Sequence, residues 1–295
     1  MGKCLRCLTR DATVMALAMD TTDIVGEAER IHGTSAVVTA ALGRLLTAAS
    51  MMGILLKGQE DTVTLKIDGG GPAGSVMAVS DSRGDVRGYA AHPVVEIPLK
   101  PNGKLDVGTA VGRDGMLHVL RDTGAPQPYI GSVPLVSGEI AEDITSYYAI
   151  SEQVPTVCAL GVLVNPDLSV KCAGGFLVQL LPFCPEGVID QVEETVAALP
   201  SVTAMLESGM TPRIMMDKLL AGFAYDILDE YEPVYRCNCS RERVERAFSA
   251  MRPEELLSLP DENGRVEATC SFCDKTYHFT IADLEKMVAS REEAE

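Results

Sequence analysis

Two short cysteine pairs hold most of the chemistry this sequence can offer: Cys237-Asn238-Cys239 and, after 30 intervening residues, Cys270-Ser271-Phe272-Cys273. Close thiol pairs far apart in sequence can converge on one tetrahedral ion, and four thiolates suit a closed structural zinc site. One zinc per chain on Cys237, Cys239, Cys270 and Cys273 is therefore expected. With sulfur in all four positions no site remains to activate water, which argues against a catalytic zinc. The one-residue gap departs from the usual zinc-ribbon spacing of two, and thiols this close can also oxidise to a local, constrained disulfide. Arg236, Arg241, Arg243 and Lys275 flank the pairs. Nearby positive charge favours thiolate, the form that binds metal and reacts with oxidants, although surface solvation alone would also account for these charges. His278, five residues past Cys273, reads as a structural or surface histidine rather than a ligand.

The other five of the nine cysteines read differently. Cys4-Leu5-Arg6-Cys7 has redox-motif spacing, but it does not open a helix after a strand, and it is expected to be a pair of free thiols in a flexible tail. Cys158, Cys172 and Cys184 are expected to be small buried hydrophobes. The N-terminal MGKCLRCLTRD lacks a continuous apolar core of signal-peptide length, so a cytoplasmic protein is expected, in which thiols serve metal or redox chemistry rather than a disulfide scaffold. Gly69-Gly70-Gly71-Pro72-Ala73-Gly74 fits GxGxxG formally. The next residues, Ser75-Val76-Met77-Ala78-Val79, read as a strand and not the helix that a dinucleotide phosphate needs, so a hairpin turn is expected. There is no GxxxxGK[ST], HExxH or GxSxG motif. The chain reads as a binding protein, not an enzyme.

The elements that position the cysteines can be placed from period and punctuation. The 295 residues, 46% hydrophobic and 23% charged, are enough for about two globular domains. Charge is 25 basic against 42 acidic, a net of −17, which argues against nucleic acid and anionic membranes as partners. With no Trp and 5% aromatics there is little material for base stacking. An α+β fold is expected, with residues 1–182 forming a mixed α/β domain whose sheet is mostly antiparallel. Its strands are placed at Thr13–Met19, around Val63–Ile67, at Val76–Ser80 and Val86–Ala90, and around 115–121, 159–164 and 175–181. Its helices are placed after Thr21-Thr22-Asp23 through Ile31, after Thr34-Ser35 to near Gly53, and over Ile140–Ile150. Residues 183–236 carry 3 basic and 10 acidic side chains and read as a helical, acidic linker. Ile189, Val192, Val196 and Leu199 recur at helical spacing, and Thr211-Pro212 opens a helix through about Leu228. Met205, Met210, Met215 and Met216 read as core, or as an adaptable surface covered in one state and exposed in another. Residues 237–295 form a small domain that a metal would staple.

The terminal segment EPVYRCNCSRERVERAF…TCSFCDKTYHF resembles the redox-switch domain of the 33 kDa chaperonin family, the redox-regulated heat-shock holdases. TTDIVGEAERIH, ALGRLLTAASMMG, LKIDGGGPAGSV, SGEIAEDITSYYAISEQVP and AGGFLVQLLP resemble its N-terminal domain, so the resemblance spans nearly the whole chain. The Cys4/Cys7 pair is outside the family pattern. The resemblance implies an ATP-independent holdase that is inactive when reduced and zinc-bound. On oxidation Cys237 would pair with Cys239 and Cys270 with Cys273, zinc would leave, and the terminal domain and linker would unfold to expose a surface for unfolding client proteins. It also implies a cytoplasmic protein, a homodimer in the active form, and no need for nucleotide. Two other classes remain open: a thiol-disulfide oxidoreductase, and a zinc-ribbon regulator of nucleic acid. The second would need a basic face, whereas residues 237–295 hold 8 basic and 13 acidic side chains.

Overall fold

A computed structural model describes residues 2–292, which divide into a larger unit ending at Arg236 and a smaller one beginning at Cys237. In the larger unit, β1 (Lys3–Thr9) and β2 (Val14–Asp20) lead into helices α1 (Thr22–His32) and α2 (Ala36–Ile54). Next come β3 (Thr62–Gly70), β4 (Val76–Asp81), β5 (Val86–Ala90), the short helix α3 (Val107–Val111), β6 (Gly112–Asp122) and β7 (Tyr129–Pro134). Helix α4 (Ala141–Tyr147) runs into a π turn at Tyr148–Glu152 and is succeeded by β8 (Thr156–Val164) and β9 (Val170–Leu180). Three helices, α5 (Glu186–Ala198), α6 (Val202–Glu207) and α7 (Pro212–Leu219), precede β10 (Tyr225–Tyr231). The strands form two antiparallel sheets, β10-β1-β2-β9-β8 and β5-β4-β3-β6-β7.

Helix α2 packs against strands of both sheets, which explains its composition. A helix between two sheets must be apolar all round, and 17 residues from Val37 to Ile54 are buried. It is the one described helix long and apolar enough to cross a membrane, yet 94% of that window lies inside the protein. The first sheet is buried on both faces. Leu17 and Met19 join the core around α2, whereas Ala16 and Ala18 face a second core made by α5–α7. That is why Val14–Met19 is apolar without interruption instead of alternating. Close approach also sets sequence: a Cβ on Gly53 would lie 2.3 Å from the Asp81 carbonyl oxygen.

Arg44 is the charged exception on α2. Its Nη1 meets Glu139 Oε2 at 2.6 Å, and Lys100 and the Gly108 N–H also reach that carboxylate. Burial works against the Glu139 charge, but the hydrogen bonds from Lys100 and Arg44 outweigh it and hold its pKa below the usual 4.5. A carboxyl lowered in the folded state stabilises fully above its unfolded pKa, and that contribution is lost as pH falls through the folded one. Glu139→Gln should therefore cost about 2 kcal/mol at pH 7, because Arg44 and Lys100 lose the negative charge they share. In urea titrations the gap from the wild type should close below about pH 4; a gap independent of pH would contradict the assignment.

The elements expected from pattern are found at or close to their places, including the hairpin turn between β3 and β4 that replaces a dinucleotide loop. Two expectations are corrected. The segment holding Cys4 and Cys7 is not a tail: it is β1, with Cys4 and Cys7 buried. The helix opened by Thr211, whose side chain caps the Ile214 N–H at 3.4 Å, ends at Leu219 and does not reach Leu228. Gly222 takes a φ of +86°, and the chain turns into β10, where pairing with β1 outweighs local helical preference.

In the smaller unit, α8 (Arg241–Ser249) and α9 (Pro253–Leu257) precede a hairpin of β11 (Arg265–Thr269) and β12 (Thr276–Thr280), and α10 (Ile281–Glu292) comes last. Its core is small: Leu256, Val266, Tyr277, Phe279 and Leu284 are buried, with Val244, Phe248 and Met251 packed against them.

Candidate metal centre

The hairpin of the smaller unit presents one cysteine pair and the segment before α8 presents the other. Cys270 ends β11's run into a tight turn, where the Cys270 carbonyl accepts from the Asp274 N–H at 2.9 Å and from the Cys273 N–H at 3.3 Å. Asp274 takes a left-handed φ of 56°, and the Cys270 N–H closes the loop on the Lys275 carbonyl at 3.0 Å. This brings two thiols to one side of a single turn. Cys237 and Cys239 come just before Ser240, whose side chain caps α8 through the Arg243 N–H at 3.3 Å.

The four sulfurs lie within 4.8 Å of one another. Cys237 Sγ is 3.7 Å from Cys270 Sγ, and Cys239 Sγ is 3.4 Å from Cys273 Sγ. A tetrahedral zinc with bonds of about 2.3 Å sets its sulfurs about 3.8 Å apart, so the donor set fits a four-coordinate thiophilic ion. All nine cysteines are free thiols. The nearest sulfur contacts cross between the two pairs, so the folded arrangement holds the thiols as a cluster rather than as two preformed neighbours.

The flanking cations are engaged elsewhere. Arg236 pairs with Asp85 at 3.1 Å, in the larger unit. Arg241 stacks over Phe279 at 4.2 Å, donates to the His278 carbonyl and pairs with Glu245 and Asp283. Arg243 donates to Asn238, and Lys275 lies over the Tyr277 ring. A polar side chain that does reach a sulfur is Tyr277, whose hydroxyl donates to Cys239 Sγ at 3.1 Å. Burial disfavours the Cys239 thiolate, but hydrogen bonds from Tyr277 and the neighbouring thiols outweigh it and lower its pKa. Sequence reasoning missed Tyr277. The signal was its place on β12 opposite Ala268, one strand across from the cysteine turn.

His278 stays outside the cluster, with its ring exposed and 3.2 Å from Glu267. The remaining cysteines are separated from the site and from each other. Cys4 and Cys7, three apart on a strand, point to opposite faces: Cys4 joins the core around α2 and Cys7 the core under α5–α7. Burial raises both thiols, Cys7 to about 11, and raises Cys158 to about 12. Cys172 is buried as expected, whereas Cys184 is only partly covered. Protonated, covered thiols react slowly with oxidants, which sets Cys4, Cys7 and Cys158 apart as structural sulfur.

The solved structure of the 33 kDa chaperonin from Thermotoga maritima, a heat shock protein 33 homologue, is similar with a TM-score of 0.90 and 34% identity, covering 99% of each chain. Fold and site together thus define a heat-shock chaperone with a small cysteine-bearing terminal unit. The family model described as Hsp33 protein matches residues 2–280. A 33 kDa chaperonin of Lachnoclostridium phytofermentans is 45% identical over 284 residues, 96% of this chain and 97% of its own length. That of Clostridioides difficile is 46% identical over 280 residues, 95% of this chain and 96% of its own. The chain belongs to the Hsp33 family.

Proposed function

We propose that the chain is an ATP-independent holdase whose client binding is switched on by oxidation. The observation that carries this reading is the convergence of four thiols in a unit whose core, among the described residues, is five buried side chains. Residues 1–182 form the body, 183–236 a linker and 237–295 the switch. In the reduced state Cys237, Cys239, Cys270 and Cys273 hold one zinc ion, which supplies a structural tie between the β11–β12 turn and the start of α8. Peroxide takes two electrons for each disulfide formed and leaves as water, and the sulfurs pair as Cys237–Cys239 and Cys270–Cys273. The thiols in each pair are separated by one or two residues, so these loops cost least to close once the fold opens. Disulfide-bonded sulfurs no longer hold metal, and the switch unit then lacks the staple its core needs.

The linker opens next. Its Val192, Val202, Met205, Met215 and Met216 cover the outer face of the first sheet, and its ten acidic side chains against three basic favour a soluble open state. Release exposes apolar surface to unfolding proteins, and the active form is a homodimer. The nine free thiols suit a reducing cytoplasm, where such a switch has a signal to read.

The test is light scattering of a heat-unfolding protein. The oxidised chain at about equimolar ratio should suppress aggregation with or without ATP, and the reduced, zinc-loaded chain should not. Equal suppression by both forms, or none by either, would overturn the switch.

A further inference from the structure

The first strand of the chain is covered along one edge by the last strand of the larger unit. β1 and β10 run antiparallel, from Cys4 opposite Tyr231 to Thr9 opposite Tyr225, and the register shifts between Arg6 and Cys7. Leu228 is the extra residue at that bulge and is exposed. The bulge lets Tyr225 and Ile227 pack into the core under α5–α7 while Tyr231 packs into the core around α2. Between these apolar anchors the strand is acidic. Asp229 accepts from Arg6 at 2.5 and 2.9 Å, and Asp226 accepts from Arg10 at 3.2 Å. Tyr225 also donates to Asp217 of α7 at 2.5 Å, and its ring lies beneath Arg213 of the same helix. β10 is therefore fastened to α7, within the segment that the switch releases.

We propose that β10 is a resident stand-in for the client, and that once it leaves, the edge of β1 captures an extended polypeptide as an added antiparallel strand. This rests on the redox-switch reading above and deepens it by naming a docking edge and the kind of segment it takes. A strand stripped of its neighbour presents a row of unpaired N–H and C=O groups, a template that any extended chain can satisfy. Main-chain pairing of this kind gives affinity without demanding a sequence, as a holdase requires, and side-chain pockets add preference. Here the preference is written by what β10 supplies: aromatic or aliphatic residues interspersed with carboxylates that meet the cations Arg6 and Arg10. The chain as a whole carries a net charge of −17 and repels acidic peptides at long range. Capture of an acidic strand would consequently report the local cations and not general electrostatics.

The probe is a fluorescein-labelled peptide of residues 222–233, titrated by anisotropy into the full-length chain, oxidised or reduced and zinc-loaded. The oxidised chain should bind it at least tenfold more tightly than the reduced chain. The same peptide with Asp226→Lys and Asp229→Lys, changes that leave the protein untouched, should lose at least tenfold. The protein variant Arg6→Glu should weaken the native peptide and restore part of the affinity for the lysine peptide. Unlabelled native peptide should compete with the heat-unfolding test protein in the scattering assay. An oxidised chain that suppresses scattering yet binds the peptide no better than the reduced chain, or binds the lysine peptide equally well, overturns strand capture alone. One that neither binds the peptide nor suppresses scattering overturns the switch with it.

Discussion

Cys239→Ser or Cys270→Ser will release the metal and unfold residues 237–295 while residues 2–236 keep their cooperative melt. Structural zinc is worth roughly 10–16 kcal/mol of apparent free energy in small finger peptides at neutral pH. A core of this size seldom supplies more than about 3–5 kcal/mol, and this one rests on Leu256, Val266, Tyr277, Phe279 and Leu284. The balance after losing one ligand is therefore unfavourable by a wide margin. The larger unit has its own two cores, neither of which draws on the four clustered cysteines. Native mass spectrometry should show zinc falling from one per chain to none, and amide signals of 237–295 should collapse to the unfolded range. Cys184→Ser, a thiol well outside the cluster, should keep one zinc. Loss of metal from that control, or retention by either ligand variant, would show the ligand set to be wrong.

Asp143→Ala will cost the larger unit about 4 kcal/mol, a drop in melting temperature of roughly 8–16 °C. The Asp143 carboxylate is fully buried and accepts four backbone N–H groups: Val136 at 2.7 Å, Ser137 at 3.1 Å, Gly138 at 3.4 Å and Ile140 at 2.9 Å. It also sits in the first turn of α4, where an acidic side chain reaching back to the preceding N–H satisfies an orphan donor. The loop it gathers includes Ile140, buried at a φ of +76°. A β-branched residue adopts that region only under compulsion. Removing the carboxylate strands four backbone donors, those of Gly138 and Ile140 buried, and frees the strained residue together. Asp143→Asn keeps the oxygen that serves Val136, Ser137 and Gly138 and should lose about half as much. A calorimetric melt of Asp143→Ala within 2 °C of the wild type would contradict this account.

Chemistry confined to neighbouring residues was legible from the chain alone. The cysteine pairs announced the cluster, strict alternation announced β3, and Thr211-Pro212 announced the start of α7. What escaped was set by partners distant in sequence. The segment of Cys4 and Cys7 reads as a tail because the pair does not open a helix after a strand; it is a strand because β2 and β10 flank it. β10 looked like the end of a helix because its pairing partner lies at the other end of the unit. Nothing local to Asp143 or Glu139 says that four N–H groups or Arg44 will converge on them. The Tyr277 hydroxyl gains a role only when the hairpin sets it beside Cys239.

The pairing of β1 with β10 also fixes an order of events during synthesis. Its partners are roughly 220 residues apart in the chain, and a ribosome adding ~5–20 residues per second needs about 10–45 s to span that distance. Until β10 is made, this first strand has one edge that nothing yet synthesised can close. A nascent chain in this condition resembles the proteins it will later protect, and its own biogenesis is a period of dependence on other chaperones. Faster elongation shortens that exposure. Pauses placed before residue 225 lengthen it.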